Sequence, residues 1–223
     1  MKNLKSYRIN RKHILTFLLI FMLLINYFVF SDSIIAIFSA LFSLSYVFLA
    51  GKGNFYCYIY GLSGSGLYCW LAYSNAFWGS LLLYLLYYIP MQILGFFKWK
   101  KNLKDDKKEI IKTYLSKNER YRILSISIIF SLSMILVLHF LNDNNPFIDG
   151  FVTVFSIIGM YLTVKRCIEQ WIAWMIVNSL SAIMWLERIL EGEKVYSTFL
   201  LWVISFFMAI YFYKIWKKEI FTK

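Results

Sequence analysis

The chain has 223 residues, of which 60% are hydrophobic, and its mean hydropathy is +0.60. These values exclude an ordinary soluble domain and favour an integral membrane protein. The net charge of +12 does not indicate nucleic-acid binding, because the basic residues flank apolar runs and no recognition motif accompanies them.

Eight apolar runs of about 16–23 residues follow one another along the chain, close to the ~20 residues that cross a bilayer as a helix. We predict that all of them are α-helices, because a helix satisfies its own backbone polar groups in lipid. The first run follows a basic start, and no small-residue cleavage site comes after Phe30. We therefore interpret it as a retained helix and not as a signal peptide. The runs are residues 14–30, 33–50, 55–77, 79–97, 123–141, 149–164, 168–187 and 196–214.

Two groups of three runs are related by an internal repeat. Phe42 aligns with Phe155, and after a short slip in one loop Trp99 aligns with Trp216. Two triplets in the same orientation need one extra crossing between them, and the run at 123–141 supplies it. The predicted fold is an all-α membrane protein of eight helices, with one extra helix before two parallel three-helix repeats joined by a linker helix. The boundaries are 1–31 for the basic N-terminus and extra helix, 32–97 for the first repeat, 98–148 for the basic loop and linker helix, and 149–223 for the second repeat and basic C-terminus.

The distribution of charge predicts the topology. With the N-terminus in the cytoplasm, only Arg188 and Lys194 of the 24 Lys and Arg residues fall on the outer side, in agreement with the positive-inside rule. We therefore predict a multi-pass protein of the cell inner (plasma) membrane with both termini cytoplasmic. The basic loop from Lys98 to Arg122 is expected to be a short cytoplasmic connector that sets the topology. Contact with anionic lipid headgroups is the alternative role.

The middle of every run lacks Asp, Glu, Lys and Arg. Carriers coupled to ions or protons commonly place a carboxylate in the membrane, so the sequence favours facilitated diffusion, with sodium held by backbone groups left open. No enzymatic activity is predicted, since His13 and His139 lie at run ends without suitable partners and no catalytic motif is present. No metal or cofactor is predicted, because the three cysteines lack the spacing of a metal site.

The seventh run contains a polar and aromatic stripe. At 100° per residue, Trp171, Trp174 and Asn178 lie within about 60° of one another on a helix. Tryptophan faces attract cations and stack on flat rings, and an amide offers both a donor and an acceptor. The stripe therefore indicates a pocket for a flat polar ring. The alternative is structural, with the tryptophans anchoring the helix at the membrane boundary and Asn178 bridging two helices.

The fourth run carries a second candidate face. Tyr84, Tyr88, Gln92 and Gly95 recur every three or four residues and so share one side of the helix. An unpaired amide in mid-membrane is costly, which makes Gln92 a candidate ligand residue. Pro90 removes a backbone hydrogen bond and is expected to kink the helix, as in a gate. A Gln92 paired to a neighbouring helix is the alternative.

These residues resemble a known family. Trp171, Trp174 and Asn178 are similar to the WxxWxxxN motif of the PnuC nicotinamide riboside transporters, and Tyr87–Trp99 is similar to their YYxPMQxxGxxxW segment. The resemblance covers about residues 33–218, and the 3-1-3 layout also resembles theirs, which is likened to the SWEET sugar-transporter fold. It implies facilitated transport of a vitamin-like nucleoside, trapping by a cytosolic riboside kinase, and a homotrimer.

The chain departs from that family pattern in its first repeat. Ser80 stands where an Asp is common, Tyr84 where an Asn is frequent, and Gly64 where an Asn is common. Relatives are thought to carry deoxynucleosides, thiamine or riboflavin, so these departures bear on which substrate is carried.

The chemistry of the stripe favours an unphosphorylated substrate. Nicotinamide riboside has a fixed pyridinium charge, which suits tryptophan faces. A phosphate would need Arg or Lys in the pocket, and the runs offer none in their centres. We therefore predict a nicotinamide riboside transporter, with a deoxynucleoside or vitamin carrier, or a non-transporting membrane subunit, as alternatives. The predicted substrate-binding residues are Trp171, Trp174, Asn178, Gln92 and Tyr88, and the predicted gating residue is Pro90.

Overall fold

The computed structural model describes residues 34–74, 78–104, 109–140, 145–192 and 196–221. Within these ranges the chain is helical, apart from turns, loops and two isolated β-bridges. The predicted first span at 14–30 lies outside the described residues. The helices are α1 (Ile34–Gly51), α2 (Cys57–Ser74), α3 (Trp78–Leu83), α4 (Ile89–Lys100), α5 (Lys117–Phe140), α6 (Pro146–Val164), α7 (Gln170–Leu190) and α8 (Tyr196–Phe221), with a π-helical segment at Tyr84–Tyr88 between α3 and α4.

Several of these helices can cross a membrane. The apolar part of α1, Ile37–Gly51, is shorter than a full span. The fold class, a multi-pass helical membrane protein, is confirmed. The five described stretches that are long and apolar enough, by length and composition, are Leu81–Lys100, Lys117–Phe140, Pro146–Val164, Gln170–Leu190 and Phe199–Phe221.

The helices pack as two groups. In the first, α1 lies against α2, and α2 lies against α4; in the second, α6 lies against α7 and α7 against α8. Helix α5 packs against α6, at the edge of the second group. The groups meet where α4 contacts α6 and where α1 contacts α8. The largest cluster of buried side chains lies at this junction and includes Tyr58, Trp99, Trp171 and Trp216.

The turn between α1 and α2 and the turn between α6 and α7 have the same backbone geometry. Gly53 and Arg166, which the internal repeat aligns with each other, both have a positive φ, of 72° and 64°. That conformation suits glycine and is uncommon for arginine. The backbone hydrogen bonds of the two turns also correspond. The N–H of Gly53 donates to the Ala50 carbonyl as that of Arg166 does to Thr163, both at 2.9 Å, and the N–H of Asn54 donates to Leu49 as that of Cys167 does to Leu162, both at 3.0 Å.

A segment that we call the strap, residues 109–116, lies across both turns. The backbone N–H of Ile110 donates to the Gly53 carbonyl, and that of Thr113 donates to the Arg166 carbonyl, both at 2.9 Å. Lys112 is buried beneath the strap, and its Nζ lies 2.6 Å from a carboxylate oxygen of Glu219 on α8. Burial lowers the pKa of Lys112, and Glu219 opposes that shift. The loop is therefore more than a connector, because it ties both turns and α8 together.

Candidate functional site

Each group contains a helix pair that approaches closely with one aromatic ring between the helices. In the first group, the ring of Tyr46 on α1 lies against Gly61 on α2, where a Cβ would be 2.9 Å from Tyr46 Cδ2. In the second, the ring of Trp174 on α7 lies against Gly159 on α6, where a Cβ would be 3.1 Å from Trp174 Cε2. In the register that pairs Phe42 with Phe155, Tyr46 aligns with Gly159, and Gly61 with Trp174. The glycine and the ring have exchanged helices.

Trp174 is held in a defined orientation. Its Nε1–H donates to the hydroxyl oxygen of Thr163 on α6 at 3.1 Å, and the Thr163 hydroxyl donates to the Gly159 carbonyl at 2.7 Å. Because Gly159 has no side chain, the indole lies directly on the α6 backbone. Trp174 is only half-buried, so its side chain is not fully enclosed by the neighbouring helices.

Asn178 lies one helical turn after Trp174 and is 5% exposed. No side-chain hydrogen bond of Asn178 is found within the described ranges, and its amide atoms are not among the fully enclosed polar atoms there that lack a partner. The amide therefore keeps some accessible area through which a polar ligand can reach its donor and acceptor. Trp174 and Asn178 therefore combine a stacking surface with an unused donor and acceptor.

Gln92 on α4 is half engaged. Its Nε2 donates to Ser65 Oγ on α2 at 2.9 Å, while its buried Oε1 has no partner among the described residues. The nitrogen thus bridges two helices, which was the alternative role considered for Gln92 in the sequence. The oxygen can still accept a hydrogen bond from a ligand. The repeat aligns Ser65 with Asn178, whereas Gln92, in the register that pairs Trp99 with Trp216, aligns with Ala209. The second group therefore lacks the amide that would pair with Asn178.

Tyr88 and its neighbour connect α4 to α6. The Tyr88 hydroxyl lies near Ser156, and the Tyr87 hydroxyl donates to the Ile157 carbonyl at 2.6 Å. Both tyrosines belong to the π-helical segment, whose wider turn ends where Ile89 N–H bonds to the Tyr84 carbonyl. The predicted irregularity thus lies in the turn before Pro90, which itself lacks an N–H to give. π-helical turns inside helices are frequent at functional sites.

Tyr46 lies between these two parts of the site and was not singled out from the sequence. Its ring and the Gln92 amide both contact the Gly61 position, and its hydroxyl is 3.9 Å from the Met160 sulfur, next to Gly159. The exchange of glycine and ring within the internal repeat is the signal that would have identified it. Tyr46 therefore bridges the Gln92 side and the Trp174 side.

Trp171 has a different environment from Trp174. It is buried between Phe212 and Trp216 of α8, at ring-centroid distances of 5.5 and 5.6 Å. Its indole Nε1 is buried without a partner in the described part of the chain. The structure thus places Trp174 against α6 and Trp171 against α8, although both lie on one side of α7.

The site is suited to holding a neutral or cationic flat ring. Its tyrosine and tryptophan faces can stack on such a ring. The Asn178 amide and the Gln92 carbonyl can hydrogen-bond to polar groups of the ligand. The described residues contain no group of His, Cys, Asp and Glu side chains placed to hold a metal ion.

Comparisons with known proteins give a consistent result. A family model described as nicotinamide mononucleotide transporter matches residues 33–218. The nicotinamide riboside transporter PnuC of Neisseria mucosa is 30% identical over 192 residues, covering 84% of this chain and 73% of the relative. The protein of the same name from Haemophilus influenzae is 27% identical over 158 residues, covering 70% of each chain. A crystal structure of the vitamin B3 transporter PnuC superimposes with a TM-score of 0.79 at 28% identity, covering 93% of this chain and 90% of that one.

Proposed function

The chain belongs to the PnuC family of membrane transporters, as its sequence motifs predicted, and we propose that it carries nicotinamide riboside. The family model is described by the mononucleotide, whereas the two relatives are named for the riboside. The riboside is favoured because the centres of the apolar runs contain no Lys or Arg to bind a phosphate. The observation that carries the proposal is Asn178, a buried amide beside Trp174 with no partner among the described residues.

The proposed binding mode uses both groups of helices. The pyridinium ring of the ligand stacks on Trp174, where cation–π attraction adds to dispersion. The ligand's carboxamide pairs with Asn178, and a ribose hydroxyl donates to the free Oε1 of Gln92. Tyr88 closes the site from the α4 side. Trp171, one turn before Trp174 on α7, supports the site by packing against Phe212 and Trp216.

The proposed architecture is two parallel three-helix repeats, α1–α4 and α6–α8, joined by the linker α5, with an extra helix before them. The shared geometry of the Gly53 and Arg166 turns supports this relation. The positive-inside rule supports an inner-membrane orientation in which the termini and the strap are cytoplasmic. The family resemblance supports assembly as a homotrimer.

The proposed energetics are those of facilitated diffusion. Without a carboxylate in the centre of a span, the transporter has no evident group for coupling to protons. Net uptake then depends on phosphorylation by a cytosolic riboside kinase, which removes free substrate. In kinase-free vesicles the ligand should equilibrate, and accumulation above the outside level under a proton or sodium gradient would contradict this energetics.

A deoxynucleoside or vitamin carrier is the second candidate, favoured by one observation. Tyr84 stacks on Tyr68 at 4.3 Å, with an angle of 29° between the rings, at a position where the family pattern often has Asn. Compared with the family pattern, a stacked tyrosine pair beside Tyr88 gives the first repeat a larger aromatic surface and one amide group fewer. Such a surface would suit an uncharged base.

Uptake into proteoliposomes tests the proposed function. The purified protein should take up labelled nicotinamide riboside, and unlabelled riboside should compete better than the mononucleotide, deoxyadenosine or thiamine. Preferred competition by deoxyadenosine or thiamine would establish the second candidate. Separate assays with each of the four compounds labelled complete the test, and absence of uptake in all of them would leave a non-transporting membrane subunit.

A further inference from the structure

We propose that Thr163 is a positioning residue that couples Trp174 in the ligand site to Trp99 at the cytoplasmic end of the helices. This inference rests on the proposed function and adds a residue that neither the sequence motifs nor the comparisons single out. Thr163 lies one residue before the end of α6 and is 1% exposed.

Both polar groups of Thr163 are used, and they face different partners. The hydroxyl accepts from Trp174 Nε1 at 3.1 Å and donates to the Gly159 carbonyl at 2.7 Å. The backbone carbonyl accepts from Trp99 Nε1 at 2.8 Å and from the backbone N–H of Arg166 at 2.9 Å. A single buried residue therefore holds one indole of the ligand site and one indole of the α4 end.

Trp99 closes the junction between the two helix groups. It is fully buried, packs edge-on against Tyr58 at 5.1 Å, and crosses from α4 to bond with α6. Trp216 makes the reciprocal crossing, from α8 to the Gly51 carbonyl of α1 at 2.7 Å. We call these two crossings the latches. Release of a ligand to the cytoplasm requires the helix groups to separate here, so at least one latch has to open.

Among the described residues, only the Trp99 latch is joined to Trp174 by hydrogen bonds, through Thr163. The Trp216 latch meets α7 through ring packing against Trp171, at 5.6 Å. The internal repeat aligns Thr163 with Ala50, and alanine has no hydroxyl with which to hold a ring. The Trp216 latch is instead fastened by Lys112, whose Nζ lies 5.2 Å from the centre of the Trp216 ring and 2.6 Å from Glu219. Opening of the Trp99 latch therefore alters the ligand site through Thr163, while the Trp216 latch stays closed as a pivot.

The coupling follows from the geometry of the shared residue. The Thr163 hydroxyl holds the Trp174 indole in the orientation on which a ligand stacks. Opening of the Trp99 latch moves the end of α6, whose carbonyl holds Trp99, and that orientation is lost. By reciprocity, loosening Trp99 changes the affinity of the site for its ligand, although Trp99 does not touch the ligand.

Four single variants of the full-length protein, and two double variants that add Thr163→Val, test the coupling by calorimetric titration with nicotinamide riboside and by proteoliposome uptake. Thr163→Val keeps the side-chain shape and removes the hydroxyl, so affinity should fall about fivefold to tenfold, and Thr163→Ser should restore it. Trp99→Phe should lower the affinity for nicotinamide riboside about threefold in the parent protein and leave it unchanged in the Thr163→Val background. Trp216→Phe is the matched control, because it also removes one buried indole donor, and its effect should be the same in both backgrounds.

The outcomes separate this inference from the proposed function. If the parent protein does not bind nicotinamide riboside, the proposed function fails first. If the parent binds but Thr163→Ser does not rescue Thr163→Val, or Trp99→Phe and Trp216→Phe behave alike, Thr163 has only a packing role. If Thr163→Val does not fold, the two tryptophan variants still test the coupling. The coupling predicts that Trp99→Phe, but not Trp216→Phe, changes the ratio of riboside affinity to transport rate.

Discussion

Gln92 gives its amide nitrogen to Ser65 at 2.9 Å and leaves its buried carbonyl oxygen without a partner in the described part of the chain. One hydrogen bond thus fixes the side chain, while its carbonyl oxygen has no partner. This is the arrangement expected of a residue that is held in position to bind a ligand. A purely structural glutamine would be expected to use both groups.

Gln92→Leu separates these two roles. Leucine keeps similar bulk and removes both hydrogen-bonding functions, so we expect riboside transport to fall ~10-fold, about 1.4 kcal/mol, with normal expression and oligomer size. Ser65→Ala is the companion variant, because it frees the nitrogen and spares the oxygen, and it should have the smaller effect. A lower melting temperature with unchanged affinity in Gln92→Leu would mean that the residue only ties α4 to α2.

Asn178→Ala should weaken binding without weakening the fold. The amide has no partner to lose among the described residues, so its removal should leave the melting temperature of the empty protein unchanged or slightly higher. Affinity for the riboside should fall about fivefold, corresponding to one hydrogen bond of ~1 kcal/mol. Ser179→Ala, at the next position on α7, removes a hydroxyl that bonds only to the Ile176 carbonyl and should bind normally. Equal affinities for Asn178→Ala and Ser179→Ala would remove Asn178 from the site.

Pro90→Ala should slow transport and leave equilibrium binding nearly unchanged. Alanine restores an N–H that can bond in α-helical register, which shifts the preceding turn from π towards α geometry and moves Tyr87 and Tyr88. The second proline of the chain, Pro146, lies in the first turn of α6, where its missing N–H has no helical acceptor. Pro146→Ala therefore serves as the control. Equal rates for the two variants would exclude Pro90 from gating.

Gly53→Ala should destabilise the protein by about 1–2 kcal/mol, because its φ of 72° is costly for a residue with a Cβ. That Cβ would also lie 3.2 Å from side-chain atoms of Ile110 and Lys112 in the strap. Gly66 on α2 has open space around it, and Gly66→Ala should be neutral or stabilising by about 0.5–1 kcal/mol. Thermal unfolding in detergent measures both variants, and similar melting temperatures would argue against a tightly packed strap.

Lys112→Met tests the ion pair under the strap. The lysine side chain is 3% exposed and that of Glu219 is 34% exposed, so loss of this charged hydrogen bond should cost about 1.5–3 kcal/mol. Lys104 also lies near Glu219, at 3.5 Å, but its side chain is 35% exposed, and Lys104→Met should cost less than ~1 kcal/mol. Thermal unfolding of both variants at one pH provides the comparison. A larger effect at Lys104 would contradict the burial of the Lys112 pair.

The helices and the stripe on α7 were accessible to sequence reasoning because their signals are local. Apolar runs mark spans through the cost of exposing polar backbone to lipid, and helical spacing places Trp174 and Asn178 on one face. The run predicted at 79–97 is a helix from Trp78 to Lys100 with one π-helical interruption. The sequence predicted a kink at Pro90, and the structure has the irregular turn just before it, at Tyr84–Tyr88.

The strap and Thr163 were not accessible in this way. The strap bonds to carbonyls of Gly53 and Arg166, both far away in the chain, and no periodic pattern records such pairing. Thr163 reads as one more small residue near the end of an apolar run. Its importance arises only where α4 and α7 both reach it, which depends on packing between the two helix groups.

The Lys112–Glu219 pair spans 107 residues, and this separation matters during synthesis. When Lys112 leaves the ribosome, Glu219 has not yet been made, so in the proposed topology the unpaired lysine favours retention of its loop on the cytoplasmic side while the later helices insert. Once α8 is in place, Glu219 covers the same charge and it becomes part of the packed structure. The same lysine thus contributes first to the orientation of the chain and later to the packing of α8 against the strap.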